Sequence, residues 1–408
     1  MKNNNIPKLR YPEFTDAWEK CKLGEVKDVR DGTHSSPKFY TDGYALITSK
    51  NLTEFGLDLS SVSFISQQDF DEINKRSKVD IGDIIFGMIG TIGNPILLEK
   101  EGFAIKNVAL IKQKEGEAVD NLFLIQLLKS SIFNNYIAKE NTGGTQKFLG
   151  LAQVRSFSFF NPTLPEQQKI GTLFRRLDRL ITLHKRKWDD VILLKKALLQ
   201  KMFPKNGSNF PALRFPEFTD AWEKCKLGEV KDVRDGTHSS PKFYTDGYAL
   251  ITSKNLTEFG LDLSSVSFIS QQDFDEINKR SKVDIGDIIF GMIGTIGNPI
   301  LLEKEGFAIK NVALIKQKEG EAVDNLFLIQ LLKSSIFNNY IAKENTGGTQ
   351  KFLGLAQVRS FSFFNPTLPE QQKIGTLFRR LDRLITLHKR QHEHYQLLKK
   401  ALLQQMFV

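Results

Sequence analysis

Apolar residues recur every three or four positions from Glu166 to Phe203, a segment with no proline and a single glycine. This spacing predicts an α-helix of roughly 38 residues, about 55–60 Å long at 1.5 Å per residue. Such a helix is too long for one small domain to cover, so its apolar seam needs a second helix. The predicted seam residues of this helix are Ile170, Leu177, His184, Trp188, Val191 and Leu198.

The same pattern returns 204 residues later, from Glu370 to Phe407. Every residue from Pro12 to Arg186 equals its counterpart in Pro216 to Arg390, so the chain consists of two near-identical repeats. Each copy has the size of a whole domain with a connector, far longer than a solenoid repeat. We therefore predict that the two long helices pair with each other. The seam residues of the second helix are Ile374, Leu381, His388, His392, Tyr395 and Leu402.

Short apolar runs separated by turn residues precede each long helix and predict strands. In the first repeat these runs are Ala45–Thr48, Ile81–Phe86, Pro95–Leu98 and Ala109–Lys112. Helical spacing predicts one helix from Asn121 to Phe133 and a weaker one from Gln67 to Lys75. The predicted fold class is α+β, with two globular mixed α/β domains, two long antiparallel coiled-coil-like helices and pseudo-two-fold symmetry. The predicted boundaries are 1–164 and 204–368 for the domains, and 165–203 and 369–408 for the helices.

Composition indicates a globular protein, with 40% hydrophobic and 25% charged residues. No apolar run reaches the ~18 residues that cross a bilayer, and the N-terminus lacks the apolar segment of a secretory signal. Cys21 and Cys225 are the only cysteines and occupy equivalent positions. This usage indicates reduced thiols in a cytoplasmic protein.

The formal net charge of +10 lies on the two long helices. Residues 165–203 carry +6 and residues 369–408 carry +5, whereas 1–164 sum to zero and 204–368 to −1. Localised basic charge predicts a polyanionic partner and salt-dependent binding. A solvated helical face is the alternative reading.

Outside the extreme ends of the repeats, nearly all differences between the copies form one block in the long helices, Lys187–Ile192 in the first and Gln391–Gln396 in the second. Complementary side chains at a crossing of the helices would explain the block. Ordinary drift, or a junction left by recombination, explains it equally well.

Candidate catalytic chemistry is sparse. No nucleotide-binding P-loop is present, no dinucleotide-binding glycine motif follows a strand, and the glycines from Gly87 to Gly93 have other intervals. His392 and His394 are two residues apart and project to different faces of a helix. We identify no nucleophile–base pair and no metal site, and we predict a binding protein.

Each repeat carries four polar turns whose side chains are of the types that reach phosphates and base edges. Each turn alone is also an ordinary polar loop, but four in one small domain favour recognition. The first repeat contributes Thr33, His34, Ser36, Lys38, Ser49, Lys50, Asn51, Thr91, Thr145, Gln146 and Lys147. The second repeat contributes Thr237, His238, Ser240, Lys242, Ser253, Lys254, Asn255, Thr295, Thr349, Gln350 and Lys351.

Several motifs resemble the specificity subunit of bacterial type I restriction–modification systems, and the resemblance covers essentially the whole chain. These motifs are Leu9-Arg-Tyr-Pro-Glu-Phe14, Asp31-Gly-Thr-His-Ser-Ser-Pro37, Gly82-Asp-Ile-Ile85, Gly90-Thr-Ile-Gly93, Gly144-Thr-Gln146 and Leu164-Pro-Glu-Gln-Gln-Lys-Ile170. The resemblance implies two target-recognition domains that each read one half of a split DNA site, while the helices set the gap. It implies a subunit without catalysis or cofactor of its own.

The partners that the resemblance implies are double-stranded DNA, two modification subunits and two restriction subunits. The modification subunits are methyltransferases that use S-adenosylmethionine, and the restriction subunits translocate and cleave DNA with ATP and Mg²⁺. The two recognition domains of this family commonly differ, whereas here they are identical. The resemblance then implies the same half-site twice, and a palindromic site if the helices pair about a dyad. A natural duplication and a designed joining of two half-length subunits both give such a sequence. An interaction scaffold with two identical protein-binding modules is the alternative function.

Overall fold

The computed structural model describes residues 5–53, 56–116, 119–141, 148–205, 207–258, 260–320, 323–345 and 352–408. The chain divides into two compact units. The first unit contains Met1–Lys185 and Arg390–Val408, and the second contains Arg186–Lys389. Each unit therefore holds one mixed domain and a part of each long helix.

The first repeat has eleven strands among its described residues. They are β1 (Glu19–Lys22), β2 (Lys27–Asp31), β3 (Tyr44–Ile47), β4 (Leu52–Thr53), β5 (Gly56–Leu57), β6 (Ser63–Ile65), β7 (Ile84–Gly87), β8 (Gly93–Leu97), β9 (Ala104–Ile105), β10 (Val108–Gln113) and β11 (Ser158–Asn161). Its helices are α1 (Leu23–Val26), α2 (Gln67–Ser77), α3 (Asn121–Lys129), α4 (Ser131–Glu140), α5 (Leu151–Ser156) and α6 (Leu164–Lys201), with one 3-10 turn at Ser49–Asn51.

The second repeat has the same elements in the same order. Its strands are β12 (Glu223–Lys226), β13 (Lys231–Asp235), β14 (Tyr248–Ile251), β15 (Leu256–Thr257), β16 (Gly260–Leu261), β17 (Ser267–Ile269), β18 (Ile288–Gly291), β19 (Gly297–Leu301), β20 (Ala308–Ile309), β21 (Val312–Gln317) and β22 (Ser362–Asn365). Its helices are α7 (Leu227–Val230), α8 (Gln271–Ser281), α9 (Asn325–Lys333), α10 (Ser335–Glu344), α11 (Leu355–Ser360) and α12 (Leu368–Met406), with a 3-10 turn at Ser253–Asn255.

The centre of each domain is a four-stranded antiparallel sheet, with strand order β2-β10-β7-β8 in the first repeat. Successive side chains of a strand point to opposite faces. Ile84 and Phe86 accordingly enter the core formed with α3 and α6, whereas Ile85 enters a second core with Ile47 and Ile105. Because both faces are covered, β7 and β10 are continuous apolar runs.

Smaller sheets surround the central one. β1 pairs with β11, β4 pairs with β5, and a three-stranded sheet has the order β6-β3-β9. In this last sheet β3 and β9 run parallel. The three-stranded sheet and the central sheet together carry the loops that form the candidate site.

The prediction of one continuous helix from Asn121 to Phe133 is wrong, because the segment breaks at Ser130. The Ser130 backbone is extended, and its hydroxyl accepts a hydrogen bond from the Ile132 amide at 3.2 Å while donating to the Leu127 carbonyl at 2.6 Å. A serine that caps a new helix in this way offers the backbone an alternative to continuing the old one.

The predicted antiparallel pairing of the long helices is confirmed within each unit. In the first unit Asp178 lies 2.6 Å from Lys399, and the rings of Phe174 and Phe407 are 5.9 Å apart. In the second unit Lys195 lies 2.5 Å from Asp382. Within each unit the two helices therefore run in opposite directions.

The end of each long helix completes the core of the domain that belongs to the other repeat. Met406 and Phe407 are buried in the first unit, where Phe407 stacks on Phe123 at 5.4 Å. Met202 and Phe203 occupy the equivalent place in the second unit. Among the described residues, no helix has the length and hydropathy needed to span a membrane.

Candidate nucleic-acid interface

Several loops meet at one edge of the central sheet, and Asn107 joins three of them. The Asn107 amide donates a hydrogen bond to the Thr33 carbonyl at 3.1 Å, and its carbonyl accepts one from the Met88 amide at 3.3 Å. Asn107 has a φ of +56°, in the left-handed region that asparagine tolerates better than most residues. We call this surface the polar edge and define it as residues 31–40, 48–51, 88–93, 106–107 and 148.

A buried carboxylate lies at the base of the polar edge. Asp31 is 5% exposed, and its two oxygens bind Arg76 Nη2 and, at 2.9 Å, His34 Nε2. The other ring nitrogen of His34 lies 2.8 Å from Asn107 Oδ1. The imidazole thus connects the loop after β2 to the segment between β9 and β10.

The loop from Ser36 to Tyr40 adds basic and aromatic groups to the polar edge. Lys106 donates a hydrogen bond to Ser36 Oγ, and Lys38 Nζ lies 5.5 Å from the centre of the Tyr40 ring. Phe39 is 54% exposed and Tyr40 is 45% exposed. Cations next to exposed aromatic faces can bind a phosphodiester backbone and contact bases together.

The glycine-containing turn after β7 packs closely against the 3-10 turn. Ser49 Oγ donates to the Ile89 carbonyl at 2.8 Å. A Cβ atom on Gly87 would lie 2.2 Å from the Thr91 carbonyl oxygen, so only glycine fits there. Ile89 also forms a bridge with Phe148, which places the end of the segment after α4 at the polar edge.

The structure brings most of the predicted site residues together at this edge. Those with side chains wholly or partly at its surface are Thr33, His34, Ser36, Lys38, Ser49, Lys50 and Thr91 in the first repeat, and Thr237, His238, Ser240, Lys242, Ser253, Lys254 and Thr295 in the second. Thr145, Gln146 and Lys147, with their counterparts Thr349, Gln350 and Lys351, lie outside the described residues.

The prediction that Asn51 and Asn255 contact DNA is wrong, because both side chains are buried. Asn51 is 4% exposed, and its Oδ1 accepts from the amide and hydroxyl of Thr48 at 2.9 and 3.0 Å. Its Nδ2 donates to the Asp58 carbonyl at 3.2 Å. Because these bonds hold the 3-10 turn, we exclude Asn51 and Asn255 from the interface and regard them as supports for Lys50 and Lys254.

The predicted seam residues lie along the helix pair inside each unit. Those in or against the cores are Ile170, Leu177, Tyr395 and Leu402 in the first unit, and Val191, Leu198, Ile374 and Leu381 in the second. His184 stacks on Tyr395 at 5.5 Å, and His392 Nδ1 lies 3.1 Å from the Ile181 carbonyl oxygen. In the second unit the Trp188 ring lies 5.9 Å from Lys389 Nζ, and His388 is half-buried.

Asp178 connects the helix pair to the domain. Its carboxylate accepts hydrogen bonds from Lys399 on α12 and, at 2.9 Å, from Gln126 on α3. Asp382 makes the equivalent bonds to Lys195 and Gln330. In each unit this carboxylate therefore joins the domain directly to the long helix that carries it, and through it to the other long helix.

Sequence reasoning missed several members of the polar edge or its support, namely Asp31, Arg76, Lys106 and Asn107 and the exposed aromatic residues Phe39 and Tyr40. Asp31 could have been found from its place before the Gly32 turn, but Arg76 is 45 residues away and gives no local signal. No group of three or more histidine, cysteine, aspartate or glutamate side chains suited to a metal ion occurs in the described part of the chain.

The profile of the type I restriction modification DNA specificity domain matches residues 15–193 and 219–394. The chain therefore belongs to this family and contains its domain twice. The prediction of a type I specificity subunit with two recognition domains is confirmed, and such subunits are the non-catalytic part of the system.

Curated relatives and solved structures are similar to this chain over nearly its whole length. The chain is 25% identical to the type I restriction enzyme MjaVIII specificity subunit of Methanocaldococcus jannaschii, over 98% of this chain and 95% of that protein. Its fold is similar to that of a type I S subunit from M. genitalium, with 14% identity, a TM-score of 0.61 and 99% coverage of both chains. A chain from a structure of type I R-M complex assembly matches with 17% identity and a TM-score of 0.51, over 95% of this chain and 96% of that one.

Proposed function

We propose that the chain recognises a palindromic, bipartite DNA site, with the polar edge of each domain reading one half-site. The observation that carries this proposal is the polar edge itself, where Lys38, Lys50 and His34 are exposed on the same edge as hydroxyl and aromatic side chains. Lysine cations neutralise phosphates, while hydroxyls and aromatic rings contact base edges. The chain that carries these groups belongs to a family whose domain is described as a DNA specificity domain.

The identity of the two repeats supports two identical half-sites. Every residue of the polar edge recurs unchanged in the second repeat, so both edges have the same base preference. Antiparallel pairing of α6 and α12 in each unit supports inverted half-sites, since a two-fold protein matches a palindrome. The basic helices would then contact the phosphates of the unread gap or the partner subunits.

The proposed assembly contains two modification (methyltransferase) subunits and two restriction subunits, and it acts in the cytoplasm. S-adenosylmethionine, ATP and Mg²⁺ are assigned to those partners, and this chain is assigned no cofactor. An interaction scaffold without DNA affinity is disfavoured by the family membership, and it would not need two identical basic and aromatic edges.

Selection from a random duplex library by the complex with its methyltransferase subunits tests the proposal. We expect two identical half-sites in inverted orientation at one fixed spacing. Two different half-sites, or a direct repeat, would contradict it.

Paired substitutions in both repeats separate base reading from phosphate contact. Lys50→Ala with Lys254→Ala should relax the preference at one position of each half-site if these lysines read bases, at roughly 1–3 kcal/mol per contact. Uniform weakening with a smaller salt slope would assign them to phosphates instead. Lys20→Ala with Lys224→Ala is the matched control, because these exposed lysines lie on β1 and β12, outside the central sheets.

A further inference from the structure

The His34 ring lies between two oxygen atoms. Its Nε2 is 2.9 Å from Asp31 Oδ2 and its Nδ1 is 2.8 Å from Asn107 Oδ1. The second repeat has the same arrangement around His238, with Asp235 at 2.9 Å and Asn311 at 2.8 Å. A neutral imidazole has one N–H and can donate to only one of these oxygens, whereas an imidazolium donates to both. The geometry therefore fits the protonated ring.

The charged groups around the ring come from three elements. Asp31 at the end of β2 is the nearest charge, Arg76 from α2 binds the other oxygen of that carboxylate, and Lys106 follows β9 and is bound to Ser36. In the second repeat, hydrogen bonds from the ring to Asp235 and Asn311 raise the pKa of His238 above its ordinary value, while burial and Arg280 oppose this.

The ring connects two parts of the polar edge. The start of the loop is also held by the Thr33 amide, which donates to the Ile105 carbonyl at 3.0 Å, so the fold of the sheet does not depend on His34. The His34 side chain is 53% exposed, so its charge is accessible to a ligand at this edge. Loss of the proton would leave one oxygen acceptor without its donor and remove a cation from the edge.

We propose that His34 and His238 bind DNA as imidazolium ions, so that site-specific DNA binding is coupled to the uptake of one proton in each recognition domain. This inference rests on the proposed function. A phosphate near the ring favours the charged form, so the complex holds the proton to higher pH than the free protein does. Affinity is therefore highest below the pKa of the free rings and falls as pH rises through and above it, by up to about tenfold per pH unit for each domain.

The duplication provides an internal control. The affinity of the complete complex with its methyltransferase subunits for its selected duplex is measured from pH 6 to 9 at constant ionic strength. The slope of log affinity against pH should be steeper for the wild type than for the double variant His34→Gln with His238→Gln. Each single variant should lose about half of this difference in slope. The double variant defines the slope contributed by the partner subunits. Equal pH profiles for wild type and double variant would overturn the inference, whereas failure of the wild type to select any sequence would overturn the proposed function.

Asn107→Asp with Asn311→Asp tests the direction of the second hydrogen bond. Aspartate tolerates the backbone angle of Asn107 and can only accept at this position, so it should stabilise the imidazolium further. The midpoint of the pH profile, and the ring titration of the two histidines followed by NMR, should both move to higher pH. A midpoint that stays in place or moves to lower pH would show that the pH profile does not report protonation of these rings, and the inference would fail.

Discussion

Arg10 donates two hydrogen bonds to the carboxylate of Glu166, both at 2.7 Å, although 156 residues separate them. The Glu166 side chain is fully buried, and Arg214 and Glu370 make the same pair in the second repeat. The segment before β1 is thereby anchored to the first turn of the long helix. In each repeat this pair links the beginning of the domain to the start of its long helix.

Arg10→Ala should destabilise the first unit by about 3–5 kcal/mol, because it leaves the buried carboxylate of Glu166 unpaired. Thermal and urea denaturation measure the effect. Lys22→Ala is the matched control, since Lys22 and Glu25 form an exposed pair that is expected to contribute less than about 1 kcal/mol. Similar losses for the two variants would contradict the importance of burial.

Phe407→Ala should destabilise the first unit by about 3–5 kcal/mol, because it empties a packed aromatic site in the domain core. Trp18 lies 6.5 Å from the Phe407 ring and reports on this site by fluorescence. The experiment uses a background with Trp188→Phe and Trp222→Phe, so that only the first unit is observed. Gln404→Ala, at an exposed position of the same helix, is the control.

In the same Trp188→Phe and Trp222→Phe background, Phe203→Ala should leave the unfolding transition reported by Trp18 almost unchanged. The reason is that Phe203 is buried in the second unit, next to position 222. Equal shifts of the Trp18 transition for Phe203→Ala and Phe407→Ala would show that the two units unfold as one. Tryptophan fluorescence is needed because peptides from the identical parts of the repeats cannot be distinguished by mass.

Lys27 should make stability increase with pH in the alkaline range. Burial lowers the pKa of Lys27, and of Lys231 in the second repeat, from 10.5 to about 8. Between these values the unfolded chain binds more protons than the folded chain, so the unfolding free energy rises with pH, by on the order of 3 kcal/mol per site at the limit. Lys27→Met with Lys231→Met should remove this rise.

The amine of Lys27 also donates hydrogen bonds to three oxygens, those of Gln113, Val119 and Asn121, of which the Val119 carbonyl is buried. The double variant is therefore less stable at every pH, and the informative quantity is the difference between its pH slope and that of the wild type. Parallel curves from pH 8 to 10.5 would contradict the lowered pKa.

Gly87→Ala with Gly291→Ala should displace the turn that carries Thr91 and Thr295, because the new methyl groups would overlap the carbonyl oxygens of those residues. We expect a loss of DNA affinity of about tenfold or more, with sequence preference changed near one position of each half-site. Gly102→Ala with Gly306→Ala is the control. Gly102 has a φ of +88° but open space around it, so this change costs about 1 kcal/mol of stability and leaves DNA binding unchanged.

The sequence predicted those parts of the fold whose burial gives a strong local pattern. The runs that became β3, β7, β8 and β10 are apolar because they are largely buried. β2 has the sequence Lys-Asp-Val-Arg-Asp, where buried Lys27 and Asp31 obscure the strand pattern. The pairing of β1 with β11 joins residues about 140 positions apart, which no local pattern reveals.

The sequence likewise predicted only some of the residues of the polar edge. Turns rich in serine, threonine and lysine are visible in the sequence, and most of them lie at one edge of the sheet. Asn51 has the same residue type as a base-reading side chain, yet its amide is used in hydrogen bonds to Thr48 and Asp58 inside the domain. The contacts of His34 with Asn107 depend on the meeting of loops 73 residues apart, and only the tertiary structure brings them together.

Near the end of each repeat a phenylalanine, Phe203 or Phe407, fills a pocket in the core of the other repeat's domain. A polypeptide cut to one repeat would therefore have both an unfilled pocket and an unburied phenylalanine, and two such molecules would satisfy each other reciprocally. Covalent duplication then adds no new contact. It fixes the stoichiometry at two domains in one molecule. Each recognition domain can then change its DNA preference while the other domain keeps its own.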